Sequence, residues 1–297
     1  TWICIVLGIV ILVAFVAFEN RQKFPLMRVA IFKERAFLAD NIVLFFLSIA
    51  FVPLFFFASM YSQIALGWDA SDAGVFLLVF FGGFVVGAQW GGKILDSKGA
   101  KPATAIGAAL AAIGFFLWAG QVTDIGAGLG GQWIYMIMAG GGVGMMLGPV
   151  STDAINRAPN TSYGEATGIT QTVRNYAAAF GLAVLGTILT TKNQSNVEDK
   201  LGALGLPTAD SDKIAHAMTS AGGGDQTALA GHASGPQIDK VFHAVQEAFA
   251  SSTSTVFYIM GGLMVVCYIV AHFGMVGGKM KEIIADDGAT PEPVADD

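Results

Sequence analysis

Residues 41–68 read NIVLFFLSIAFVPLFFFASMYSQIALGW, a run without one charged side chain. A bilayer core is crossed by about 20 consecutive apolar residues in a helix, so this run is long enough to span it. In lipid every backbone N–H and C=O must be bonded internally, and a helix does that within one segment. Runs of the same kind recur at Ala73–Gly92, Pro102–Thr123, Ile125–Thr152 and Ala248–Gly278. Trp2–Phe18 is shorter but within the usual limit, and Gly164–Thr191 qualifies with Glu165 at its mouth and Arg174 inside it. The reading is an all-α polytopic membrane protein with seven transmembrane helices.

Composition agrees. The chain is 54% hydrophobic and 13% charged, with mean hydropathy +0.61, against roughly 25% charged residues in soluble domains. The net charge of −6 is spread over loops and an acidic tail, with no basic stripe of the kind nucleic acid requires, so nucleic acid is excluded as a partner. Cys4 and Cys267 lie far apart in apolar segments, which argues against a disulfide framework or a metal site. No HExxH, GxSxG or CxxC motif is present, and no pair of carboxylates is expected inside the spans. An enzyme is not expected, and no cofactor is implied.

Short loops carry their Lys and Arg on the cytoplasmic side. Arg21, Lys23, Arg28, Lys33 and Arg35 follow the first span, Tyr61–Asp72 has none, and Lys93, Lys98 and Lys101 mark the next turn. The connection near Thr123–Gly131 has none, Arg157 marks the fifth, and Lys279 and Lys281 the tail. The chain is therefore expected to start outside and end in the cytoplasm. It opens in TWICIVLGIV with neither Met nor a secretory signal, so sequence upstream of Thr1 is expected.

The expected organisation is a membrane helix at 1–18, a basic cytoplasmic linker at 19–36, five membrane helices within 37–191, an external connection at 192–250, a last membrane helix at 251–277 and a disordered cytoplasmic tail at 278–297. The external connection is Gly-rich at AGGGDQTALAGHASG. It then places Ile238, Val241, Phe242, Val245 and Phe249 at helical spacing. That stretch reads as an interfacial helix along the outer surface, with a lid as the alternative.

Two spans repeat small residues every fourth position: Gly83, Gly87 and Gly91 in one, Gly140, Gly144 and Gly148 in another. Such stripes let helix backbones approach closely, because lipid provides no hydrophobic drive between helices. Pro149, like Pro53, removes a backbone donor inside its span and is either a static bend or a hinge.

Arg174 lies about ten residues into its span and shares a helical face with Gln171, with Asn175 beside them. A charge near mid-bilayer costs at least about 2.5 to 3.5 kcal/mol, so it faces protein or a water-filled path rather than lipid. It either lines a translocation pathway or is structural. Asp153 is the nearest acidic partner in sequence, but its level on the preceding helix is roughly 12 Å away at 1.5 Å per residue. Gln89 is a further polar residue within a span, and His272 is either interfacial or part of a proton relay.

The turn GKILDSKGAK, residues 92–101, resembles the loop signature of the major facilitator superfamily through Gly92, Asp96, Gly99 and Lys101. The family's other basic positions fall on Ser97 and Ala100. SQIALGWDASDAG, GGGVGMMLGPVSTDAI and GEATGITQTVRNYAAAFGLAVLGTILTT resemble the fourteen-span drug:proton antiporter branch, as does the linker ENRQKFPLMRVAIFKERAF. The resemblance implies the C-terminal six-helix bundle plus one preceding linker helix of a proton-coupled exporter, driven by the proton gradient, in a bacterial cytoplasmic membrane. Its partners would be membrane lipid, the N-terminal half of the transporter and a drug-like small-molecule substrate. Gly92, Asp96, Gly99 and Lys101 would form a cytoplasmic gate, and Arg174, Gln171, Asn175, Gln89 and Asp153 would line the cavity. A passive channel or a non-transporting membrane scaffold are the alternatives from other classes.

Overall fold

The computed structural model describes residues 29–158, 163–203 and 236–278, together with positions 7, 8, 10, 11, 14, 17 and 18. Among these residues no strand occurs, and six helices are long and apolar enough to cross a membrane. They are α1 (Arg35–Ile64), α2 (Ala70–Lys98), α3 (Ala100–Gln121), α4 (Gly128–Asn156), α5 (Tyr163–Ala203) and α6 (Pro236–Phe273). A short 3-10 turn, Val29–Lys33, leads into α1. Six spans thus stand where seven were expected, because Trp2–Phe18 is described at scattered positions only. Most of residues 19–36, residues 204–235 and those beyond 278 lie outside the described residues.

The helix boundaries follow local chemistry. Asp69 caps α2, its side chain accepting from the Asp72 N–H at 2.8 Å, the usual way to satisfy a first-turn donor. Gly99 alone separates α2 from α3, with φ +88° and ψ 178°, a backbone region open essentially to glycine. Pro53 and Pro149 both sit inside continuous helices.

The helices close into a ring in the order α1, α5, α6, α3, α4, α2, with α1 also meeting α4 and α6 across the middle. The closest approach is between α2 and α4. A Cβ on Gly83, Gly87 or Gly91 would lie 2.3, 1.9 and 2.3 Å from the carbonyl oxygens of Ile137, Gly141 and Met145. From the other side, one on Gly140 or Gly144 would lie 2.2 and 2.1 Å from those of Phe80 and Phe84. Gly148 departs from the expected stripe: it is exposed and a Cβ there would meet nothing within 4 Å. The seam has ended by that turn, so spacing carried the pattern one residue further than the crossing extends.

Trp118 of α3 is fully buried among Phe76, Phe80, Phe115 and Phe257. Its indole N–H donates to Gln132 Oε1 at 3.0 Å, Gln132 Nε2 donates to Tyr61 Oη at 2.8 Å, and that hydroxyl donates to the Val122 carbonyl at 2.9 Å. This chain ties α1, α3 and α4 together with every polar group matched, as burial demands.

The connection at 192–250 differs from the expectation in its described parts. α5 runs on past Thr191 to Ala203, and residues 236–250 are continuous with the last span rather than a separate helix. Val197 and Leu201 of α5 bury against Val241, Val245 and Ala248 of α6. Asn196 Nδ2 donates to Ser252 Oγ at 2.9 Å, and Lys200 pairs with Glu247. Val241, Phe242 and Val245 of the stripe read as an interfacial surface thus pack against the neighbouring helix.

Candidate functional site

α5 buries one stripe at four-residue spacing, Ala177, Gly181, Leu185, Leu189, Asn193, Val197 and Leu201, against α1 and α6. At Gly181 a Cβ would lie 2.5 Å from the Ile49 carbonyl oxygen of α1. The opposite face is open and includes Gln171 and Asn175, both exposed, with Arg174 partly exposed between them. Arg174 Nη1 donates to Gln171 Oε1 at 3.4 Å, one helical turn away. A guanidinium and two amides on the outside of a span have no counterpart in hydrocarbon, so this face requires protein or water against it.

Beside this ridge is an apolar cleft of about 420 Å³ between α1 and α5, lined by Phe32, Leu38, Asn41, Ile42, Phe45, Phe46 and Val173. Val173 precedes Arg174 in the chain, so an apolar hollow and a cationic ridge adjoin on one helix. Gln89 is exposed on α2, which shares no packing seam with α5.

Asp153 does not join Arg174. It is 5% exposed on α4, and its Oδ1 accepts from Arg157 Nε at 2.8 Å, one turn along the same helix. Its other neighbour is Asp40 of α1, 1% exposed. Neither oxygen of Asp40 has a hydrogen-bond donor, and neither has Asp153 Oδ2. Asn41, also buried, donates from Nδ2 to the Phe37 carbonyl at 2.9 Å and leaves its own Oδ1 without a donor. A carboxyl pair therefore exists inside the bundle where none was expected. Asp40 borders a charge-free run, and a charge at that position reads as interfacial; the crossing of α1 and α4 is what encloses it.

The same end of the bundle gathers the turn 92–101. Gly99 is buried and a Cβ there would lie 2.4 Å from the Gly278 carbonyl oxygen. Arg157 Nη2 donates to that same carbonyl at 3.2 Å, and Arg35 Nη2 donates to the Phe273 carbonyl at 2.7 Å. Arg35 thus holds the last carbonyl of α6, the end of the helix dipole that favours cations, and Arg157 holds the segment that follows it. Gly92 is partly exposed and Asp96 is exposed. Lys101 lies along the chain at Gly277, where its Cδ would be 3.8 Å from an added Cβ. Asp96 and Lys101 form no ion pair with each other. Among the described residues no group of three or more His, Cys, Asp or Glu side chains gathers as a metal site would require.

Comparison with known proteins agrees with this architecture. Residues 1–182 match the family described as Major Facilitator Superfamily. The chain is 25% identical over 255 residues to the tetracenomycin C resistance and export protein of Streptomyces glaucescens, covering 86% of this chain and 47% of that protein. It is 26% identical over 196 residues to a multidrug transporter protein of Bacillus subtilis, covering 66% of this chain and 36% of the relative. With the cephamycin export protein of Amycolatopsis lactamdurans it shares 30% identity over 183 residues, 61% of this chain and 37% of that one. The chain thus spans less than half the length of these curated relatives.

Proposed function

The chain belongs to the major facilitator superfamily of transporters, and from that membership we propose that it is the C-terminal half of a proton-coupled exporter working by alternating access. In such transporters two bundles rock about a central site near the midplane. The observation that carries the proposal is the open α5 face bearing Gln171, Arg174 and Asn175. A guanidinium and two amides on one open face of a membrane helix are suited to meet a second bundle and a wetted path.

The relatives' names speak of tetracenomycin C, cephamycin and multidrug export. The cleft beside Arg174 suits a substrate of the same broad kind, an amphipathic organic molecule. A guanidinium favours an anionic or zwitterionic one. In the same reading the turn at Gly92, Asp96, Gly99 and Lys101 is the cytoplasmic gate, the carboxyl terminus lies in the cytoplasm and the protein sits in the bacterial inner membrane.

Arg174→Ala and Arg174→Lys in the full-length transporter, assayed for efflux in inverted vesicles at equal expression, test this reading. Loss of efflux in the alanine variant with partial retention in the lysine variant is expected. Normal efflux in both would remove Arg174 from the transport path.

A further inference from the structure

Asp40 and Asp153 are both buried, on α1 and α4, and three of their four carboxyl oxygens have no donor. Ionised carboxylates only accept hydrogen bonds, so two facing each other have nothing to place between them; a protonated one supplies the missing O–H. Charged groups on the surrounding elements include, among the described residues, Arg35 on α1 itself, Arg157 on α4, Glu165 on α5, His272 on α6, and Lys98 and Lys101 at the adjoining turn. Arg157 is in direct contact with the pair, its Nε 2.8 Å from Asp153 Oδ1. Arg35 is exposed and engaged with the Phe273 carbonyl, and His272 is exposed and stacked on Tyr268.

The charge count then decides. Two carboxylates beside one guanidinium leave a net charge of about −1 in a space closed to water, and two like charges sharing a site do not both ionise readily. One proton brings the trio to neutrality. We propose that Asp40 and Asp153 together hold a single shared proton, forming a proton-binding site inside this bundle. The proton adds to a carboxylate oxygen of one residue and is donated to an oxygen of the other. No other bond is made or broken. Its loss would leave an uncompensated buried charge between α1 and α4, so proton occupancy is linked to how those helices pack. The site stands on this geometry alone; a part in transport would rest on the proposed exchange of substrate for protons.

Infrared difference spectroscopy on the full-length protein in lipid, with isotope-labelled aspartate, reads the site directly. At neutral pH a protonated-carboxyl C=O stretch that shifts with the label and in heavy water is expected. It should lose the intensity of one carboxyl in Asp40→Asn, which mimics the protonated form and should fold. Absence of a label-sensitive band from the wild-type protein at neutral pH would overturn the proposal without reference to any variant. A band unchanged in both Asp40→Asn and Asp153→Asn would overturn it as well, as would a missing band together with stabilisation by added sodium, which would mark a metal-cation site. If the band behaves as expected while wild-type efflux proves independent of the proton gradient, the site stands and the transport reading fails.

Discussion

Gly87→Ala probes the α2–α4 seam at its tightest point. The added Cβ would lie 1.9 Å from the Gly141 carbonyl oxygen, 2.6 Å from its carbon and 2.7 Å from its Cα. All three are backbone atoms, so no side chain can swing aside. Ordinary contact begins near 3.4 Å, which leaves a shortfall of about 1.5 Å to be met by moving one helix from the other. A radial gap of even about 0.5–1 Å forfeits a quarter to a half of each contact's dispersion energy. The neighbouring approaches at Gly83, Gly91, Gly140 and Gly144 would loosen with it. Overpacking of this type costs about 1–3 kcal/mol, and the rigid backbone on both sides puts Gly87→Ala at or above the upper end. Gly148→Ala, on the same seam helix but with nothing within 4 Å, is the control. Alanine there gains up to about 1 kcal/mol of helix propensity. Fluorescence-detected size-exclusion thermostability of the full-length protein, with both variants beside wild type, measures the difference. Equal midpoints for Gly87→Ala and wild type, or equal losses in the two variants, would refute the account of α2 and α4 in backbone contact.

Gly99→Ala should destabilise by about 1–3 kcal/mol, from its φ of +88° at an extended ψ and from collision with the Gly278 carbonyl; the same thermal assay reads it, and a midpoint at the wild-type value would contradict the left-handed turn between α2 and α3. Tyr61→Phe removes the hydroxyl that accepts from Gln132 and donates to the Val122 carbonyl. It should cost about 1–3 kcal/mol through the buried groups left unmatched, and a smaller loss in Tyr61→Phe with Gln132→Leu than the sum of the single variants would show that the two residues act as one chain. The efflux test of Arg174 and the infrared test of Asp40 complete the set.

Much of the fold was legible in residue order. Long apolar runs, charge-free in all but α5, marked α1 to α6 because lipid forces a helix wherever such a segment must bury its own backbone bonds. The four-residue glycine period in α2 and α4 marked both sides of the seam, since a period of four keeps residues on one helical face. The polar face of α5 was legible in the same way. Less legible was what lies opposite each face. Nothing in the spacing of Gly83, Gly87 and Gly91 names Ile137, Gly141 and Met145 as neighbours, and nothing in Gly148 says that the seam stops short of it.

The sequence by itself determined that this chain crosses a membrane as a bundle of helices, which of their faces are small, apolar or polar, and which family the turn at residues 92–101 resembles. These are properties of one segment at a time, set by hydropathy and helical period. The tertiary structure alone decided that Asp40 meets Asp153 rather than water, that Asp153 pairs with Arg157 and leaves Arg174 on the open face, and that α5 runs on past its apolar run while α6 begins before its own, burying Val197 and Leu201 against Val241 and Val245. Each of those outcomes depends on where two helices cross, and a crossing is fixed by the shapes of both surfaces together.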